Sequence, residues 1–124
     1  MTYLDTHVAV WLWTGMVEQL SHQARAGLAD HDLRISPMAV LELQYLHEIG
    51  RLEPTAQQVI ETLSKDLGLR VCDLPFSLVV EQALQETWTR GPFDRLIAAQ
   101  AAANGAPLIT KDETIRENYR RAVW

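Results

Sequence analysis

Four carboxylates stand where short apolar segments end or where a helical stretch turns a face inward: Asp5, Glu42, Asp94 and Asp112. Asp5 closes Tyr3-Leu4-Asp5, where on its own it reads as a helix cap, and Asp112 follows Leu108-Ile109-Thr110. At about 100° per residue, Met38, Tyr45, Leu46 and Ile49 fall within about 60° of Glu42, while Gln44, His47, Glu48 and Arg51 gather opposite. That pattern places Glu42 in the middle of a buried face. An ionised carboxylate there has to be protonated, paired with an arginine or bound to a metal. Asp94 shares a face with Ile97, Ala98 and Ala101, or else is a favourable charge in the first turn of its helix. Four carboxylates converging on one sheet edge suit a hard divalent cation, magnesium or manganese, which prefers oxygen ligands. Such a cation polarises a phosphate oxygen, lowers the pKa of an attacking water and stabilises the leaving oxygen, which is the chemistry of phosphodiester hydrolysis.

The elements needed to position these groups are legible as strands alternating with helices. Thr2 to Asp5 reads as a first strand, with Thr6 capping a helix through Val8 to Trp13. Ser21 caps a second helix to about Asp30, and Leu33 to Ser36 is a short strand. Ser36-Pro37 is a cap followed by proline at the first helical position, and Gly50 ends that helix. Thr55 with Gln58 forms a capping box. A strand at Leu69 to Leu74, with Cys72 as a buried strand residue, leads to a helix from Ser77. A further helix runs from Phe93 to Asn104. Pro107 to Thr110 is a buried strand, and Thr110 with Glu113 reads as a second capping box, which leaves Asp112 with no capping duty one turn inside the helix. Arg121 to Trp124 is a short edge strand. Short strands separated by helices define an α/β sandwich with a parallel sheet, whose ligands bind beyond the carboxyl ends of the strands.

A chain of 124 residues, 48% hydrophobic and 22% charged, is expected to form one domain over residues 1–124 with a core of its own. One cysteine excludes an internal disulfide, and the four histidines show no zinc spacing with it. No apolar run approaches the roughly 20 residues of a membrane span, so the expected location is the cytoplasm. The net charge of −5 argues against binding nucleic acid by phosphate neutralisation alone. The excess lies in residues 1–62, with eight acidic and three basic side chains, whereas residues 63–124 carry eight of each. A dication in a carboxylate pocket would invert the local field, beside Arg95, Lys111 and Arg116.

Leu4-Asp5-Thr6-His7, Leu41-Glu42-Leu43, Pro92-Phe93-Asp94-Arg95 with its continuation Ile97-Ala98-Ala99-Gln100-Ala101, and Leu108-Ile109-Thr110-Lys111-Asp112 resemble, in order and spacing, the PIN-domain ribonucleases. More narrowly, the chain resembles VapC-type toxins of type II toxin–antitoxin pairs. The resemblance implies a PIN-like three-layer sandwich and an endoribonuclease dependent on Mg²⁺ or Mn²⁺, inhibiting translation or growth. It makes Asp5 and Asp94 the principal metal ligands, with Glu42 and Asp112 holding the metal directly or through water. Thr6 and Thr110 match hydroxyl positions near the site, and Arg95 is placed to contact the scissile phosphate or to pair with Glu42. The implied partners are an RNA substrate, a small cognate antitoxin and a second copy in a homodimer. Trp11, Trp13, Leu43 and Leu46 lie near the groove an antitoxin would use, although core packing explains them as well. His7 reads as a packed or surface histidine, and Trp11, Trp13, Trp88 and Trp124 as too scattered to stack bases.

Two other readings compete. A phosphoacceptor receiver domain shares the doubly wound sheet and a Thr-Lys pair like Thr110-Lys111, with Asp73 as acceptor, but it leaves Glu42 and Asp94 unexplained. A binding-only PIN fold would keep the ligands and act through partners.

Overall fold

The computed structural model describes residues 1–124. Five short strands, β1 (Thr2–Leu4), β2 (Leu33–Ile35), β3 (Arg70–Val71), β4 (Leu108–Ile109) and β5 (Ala122–Val123), form one sheet in the order β3-β2-β1-β4-β5. Every pairing is parallel, with Leu4 opposite both Ile35 and Ile109. Seven helices connect and flank the strands: α1 (Thr6–Thr14), α2 (His22–Gly27), α3 (Pro37–Glu48), α4 (Ala56–Leu67), α5 (Phe76–Ala83), α6 (Pro92–Ala103) and α7 (Glu113–Asn118). The chain builds outward from β1 through β2 to β3, then crosses to β4 on the other side of β1. Right-handed crossovers running in opposite directions put their helices on opposite faces of the sheet, which gives the expected three-layer sandwich. The crossing also creates a switch point between β1 and β4, where the connections leaving the two strand ends diverge.

Burial follows the sheet. Tyr3, Leu4, Leu33, Ile35, Leu108 and Ile109 are almost wholly buried, as befits a parallel sheet covered on both faces, and belong to a core of 23 apolar residues. Helices α1, α3 and α4 pack on one another, α5 packs on α6, and α6 reaches α3. Several helix ends form as their residues dictate. Ser36 caps α3 with Pro37 at its first position, Thr55 and Gln58 close a reciprocal capping box on α4, and Gly68 ends α4 at φ 71°.

Three local expectations are corrected. The first strand stops at Leu4, and Asp5, not Thr6, caps α1. The strand expected over Leu69 to Leu74 shrinks to Arg70–Val71, both exposed at the sheet edge; Cys72 is buried as expected but lies just past the strand, its N–H bonded to the Ile35 carbonyl. The cap of α7 is Asp112, whose Oδ1 accepts from the Ile115 N–H at 2.8 Å. Thr110 does not take that duty, because α7 starts only at Glu113 and the Thr110 oxygen accepts from the N–H of Asp112, the residue just before the helix, while its hydroxyl proton goes to Asp5. No helix is long and apolar enough to cross a membrane.

Candidate active site

The carboxyl ends of β1 and β4 open into a cavity of about 250 Å³ lined by Asp5, Thr6, His7, Val10, Glu42, Leu46, Asp94 and Asp112. All four predicted carboxylates meet there, and no lysine or arginine lines the cavity. Each comes from a different element. Asp5 directly follows β1, Glu42 is on α3 leading from β2, Asp94 is in the first turn of α6, and Asp112 follows β4.

Asp5 is the most rigidly held. Only 3% exposed, it accepts at Oδ1 from the Thr6 N–H (2.7 Å) and at Oδ2 from the Thr110 hydroxyl (2.6 Å). The Thr110 oxygen in turn accepts from the Asp112 N–H at 3.1 Å. One fully buried hydroxyl thus couples the two strand-end carboxylates, donating to one and receiving from the backbone of the other. Asp112 spends one oxygen on capping α7.

Glu42 and Asp94 are partly buried and make no ion pair, so the arginine partner considered for Glu42 is absent. Glu42 also lies less deep than the helical periodicity predicts, being only partly buried. The buried residues of α3 are Ala39 and Leu43, while Tyr45 and Ile49 are nearly half exposed, because α3 directs its inward stripe between α1, α4 and α6. Glu42 lies on the shoulder of that stripe, facing the cavity. Its pKa is raised chiefly by burial and further by the charges of Asp5 and Asp94, with the Thr6 hydroxyl and His7 pulling the other way. Thr6 Oγ1 is itself buried and closes no hydrogen bond of good geometry. Asp94 is pushed up to about 6, by burial first and then by Asp5 and Asp112. A carboxyl held that high among others, with no cation in reach, has the electrostatics of a cation site.

Arg95 does not fill the expected role. Its Nε donates to the Ala83 carbonyl at 2.8 Å, tying α6 to the end of α5, and it does not line the cavity. One residue helical position sends Asp94 inward and Arg95 sideways. His7, expected as a packed or surface histidine, packs against Trp11 and also lines the cavity. Its Nε2 accepts from the Lys111 N–H at 2.9 Å, which leaves Nδ1 to carry the proton, 3.6 Å from Asp5 Oδ2. The available signal was position: His7 stands two residues after the strand-end aspartate, within the first turn of α1. The tryptophans are less scattered than their spacing suggested, since Trp11 and Trp124 meet with ring centroids 5.8 Å apart. Asp73, the acceptor a receiver domain would need, lies apart, beside Arg34 and Arg70.

No three or more His, Cys, Asp or Glu side chains close into a ready-made ligand cage. The donor set nevertheless fits magnesium or manganese: four carboxylates face one water-accessible cavity, and these ions are usually held by one or two carboxylates with waters completing the octahedron.

The sequence matches the PIN domain over residues 2–121. It is 30% identical over 122 residues to Ribonuclease VapC22 of Mycobacterium tuberculosis, covering 93% of this chain and 89% of that protein. Among solved structures, it superposes on a toxin–antitoxin complex from Klebsiella pneumoniae with TM-score 0.64 and 17% identity, over 100% of this chain and 97% of that one. VapBC2 from Rickettsia felis, bound to a promoter DNA fragment, gives TM-score 0.61 and 21% identity, over 95% and 93%. These structural likenesses speak for the fold. The chain belongs to the PIN-domain family, and within it is a relative of the VapC proteins. The receiver reading is thereby set aside.

Proposed function

We propose that the chain is a Mg²⁺- or Mn²⁺-dependent endoribonuclease, acting as the toxin of a type II toxin–antitoxin pair that arrests translation or growth. The observation that carries this reading is the convergence of Asp5, Glu42, Asp94 and Asp112 on one cavity without a neutralising cation. Asp5 and Asp94 are the principal candidates to hold the metal, and Glu42 and Asp112 would do so directly or through water. When bound, the dication supplies charge stabilisation to the phosphate and makes water a better nucleophile at neutral pH. The chain's own contribution is positioning. The Thr110 hydroxyl and Thr6 N–H fix both oxygens of Asp5, and His7 bridges the Asp5 and Lys111 segments. The buried Gln100 accepts from the Ser36 hydroxyl at 3.1 Å, locking the helix that carries Asp94 to the cap of the helix that carries Glu42.

The relative named a ribonuclease and the fold shared with toxin–antitoxin complexes support this reading, and they support a small antitoxin as partner. A homodimer and a cytoplasmic location complete the proposal by likeness to that family. The test is cleavage of RNA by the purified chain freed of antitoxin. Cutting is expected with Mg²⁺ or Mn²⁺, none with EDTA, and near-complete loss in Asp5→Asn and Asp94→Asn. Metal-loaded protein that cuts no RNA would reject the proposal.

A further inference from the structure

The one cysteine of the chain, Cys72, sits in a buried polar cluster that shares no residue with the lining of the acidic cavity. The Tyr3 hydroxyl, from β1, donates to its Sγ at 3.0 Å. The Asn104 amide, at the end of α6, reaches the same sulfur at 3.9 Å and the Tyr3 oxygen at 2.6 Å. The Leu74 N–H, the Gln100 amide and the Arg34 guanidinium also turn toward the sulfur. The oxygens of these side chains already accept elsewhere, Tyr3 from Asn104 and Gln100 from the Ser36 hydroxyl. A sulfur ringed by donors is a place built for the thiolate. Burial alone would raise the Cys72 thiol, but these donors hold it below the ordinary cysteine value.

Gln100 is the group this cluster leaves unsatisfied. It is 3% exposed, and its Nε2 faces the sulfur without closing a hydrogen bond to it or to anything else. A buried amide N–H without an acceptor is costly. An oxygen carried by the sulfur would be the acceptor it lacks. The sulfur is also close to solvent along the chain. Val71 and Asp73, on either side of Cys72, are exposed and line a cavity of about 260 Å³ with Arg34 and Arg70. Hydrogen peroxide is uncharged and little larger than water, so a small opening at that sheet edge admits it.

We infer that Cys72 is a site of oxidation by hydrogen peroxide, which converts it to a sulfenic acid whose oxygen accepts from the Gln100 amide. The thiolate sulfur attacks one peroxide oxygen. The S–O bond forms as the O–O bond breaks, sulfur gives up two electrons, and the departing hydroxide leaves as water with the proton released by the thiol. The chain has no second cysteine to condense with, so the sulfenic acid persists until an external thiol reduces it through a mixed disulfide. Gln100 also joins α6 to the Ser36 cap of α3, which puts the oxidised sulfur one hydrogen bond from the contact between the helices that carry Asp94 and Glu42. The oxidation itself is independent of whether the cavity cleaves RNA.

The test exposes the full, reduced chain to hydrogen peroxide at neutral pH, stops the reaction with catalase, and unfolds each sample in urea containing dimedone, which traps sulfenic acids. Mass spectrometry then follows the adduct, and with one cysteine every adduct reports Cys72. The reference is the same chain unfolded before peroxide is added. The folded protein is expected to react about 3- to 10-fold faster. Hydrogen bonds to a charged group raise the thiolate fraction about 10- to 100-fold, and the accompanying loss of nucleophilicity cancels about half of that on a logarithmic scale. Tyr3→Phe, which removes the donating hydroxyl and keeps the ring, and Gln100→Leu, which removes the waiting amide, should each slow the folded protein by a similar factor and leave the unfolded rate unchanged. Folded wild type that reacts no faster than the unfolded chain, the result for a cysteine merely packed in the core, overturns the inference; so does wild-type speed in both variants. The folded-against-unfolded comparison requires no variant to fold.

Discussion

Replacing Asp94 by Asn should stabilise the metal-free protein, and only above acidic pH. Asp94 titrates at about 6 in the folded chain against 3.8 for an ordinary aspartate, because burial and the charges of Asp5 and Asp112 oppose its ionisation. Between those values the native state binds more protons than the unfolded state, so its stability falls as pH rises. Below about pH 4 the carboxyl is neutral in both states and the penalty is absent; above about 6 it is fully expressed. The shift corresponds to about 3 kcal/mol, reduced to about 2 kcal/mol for screening of a group that is only partly buried. Asparagine resembles the neutral carboxyl in shape and removes the charge. In EDTA at pH 7.5, Asp94→Asn is therefore expected to melt about 8 °C above wild type, with the difference closing by pH 4. Magnesium should narrow the gap from the other side, by stabilising wild type more than the variant. Thermal unfolding of both proteins from pH 4 to 8, with EDTA and with Mg²⁺, is the assay. A variant less stable at every pH, or a difference that does not change with pH, would refute the reasoning.

Thr110→Val keeps the shape of the side chain but removes the donor to Asp5 and the acceptor for the Asp112 N–H; denaturant titration should show a loss of about 1.5–3 kcal/mol, with RNA cleavage falling further than stability. Arg95→Ala should leave cleavage near wild type and lower stability by about 1 kcal/mol, since its guanidinium bonds a backbone carbonyl away from the cavity. Gln100→Leu removes the bond to Ser36 but also a buried amide nitrogen that has no partner, so urea midpoints should change little while cleavage drops as Glu42 and Asp94 lose their fixed spacing.

Most of the architecture was legible because local chemistry agreed with the final packing. Ser36-Pro37, the Thr55–Gln58 box and Gly68 each end an element where residue type alone requires it. The four carboxylates were legible for a related reason: strand ends converge in a parallel sheet, and charged residues beside apolar runs need a purpose there. What escaped was set by geometry between elements. Glu42 was placed at the centre of a stripe that includes Tyr45 and Ile49, but three neighbouring helices decide which side of α3 is covered. Thr110 matches a capping box by spacing, yet its oxygen accepts from the Asp112 N–H and its proton goes to Asp5, and Asp112, one residue before α7, accepts from the Ile115 N–H as the cap. The meeting of Trp11 with Trp124 depends on β5 pairing beside β4, a contact across more than a hundred residues that no local pattern announces.

Whether Asp5, Glu42, Asp94 and Asp112 form one cation site is tested most directly by Mn²⁺ binding. Electron paramagnetic resonance of free Mn²⁺, titrated into the purified chain at pH 7.5, should show uptake in the wild-type protein that weakens as pH falls toward 5, where Asp94 becomes protonated. Asp5→Asn and Asp94→Asn should each abolish that uptake, while Arg95→Ala leaves it intact. Equal Mn²⁺ uptake by wild type and both aspartate variants, or no uptake by any of them, would contradict the account.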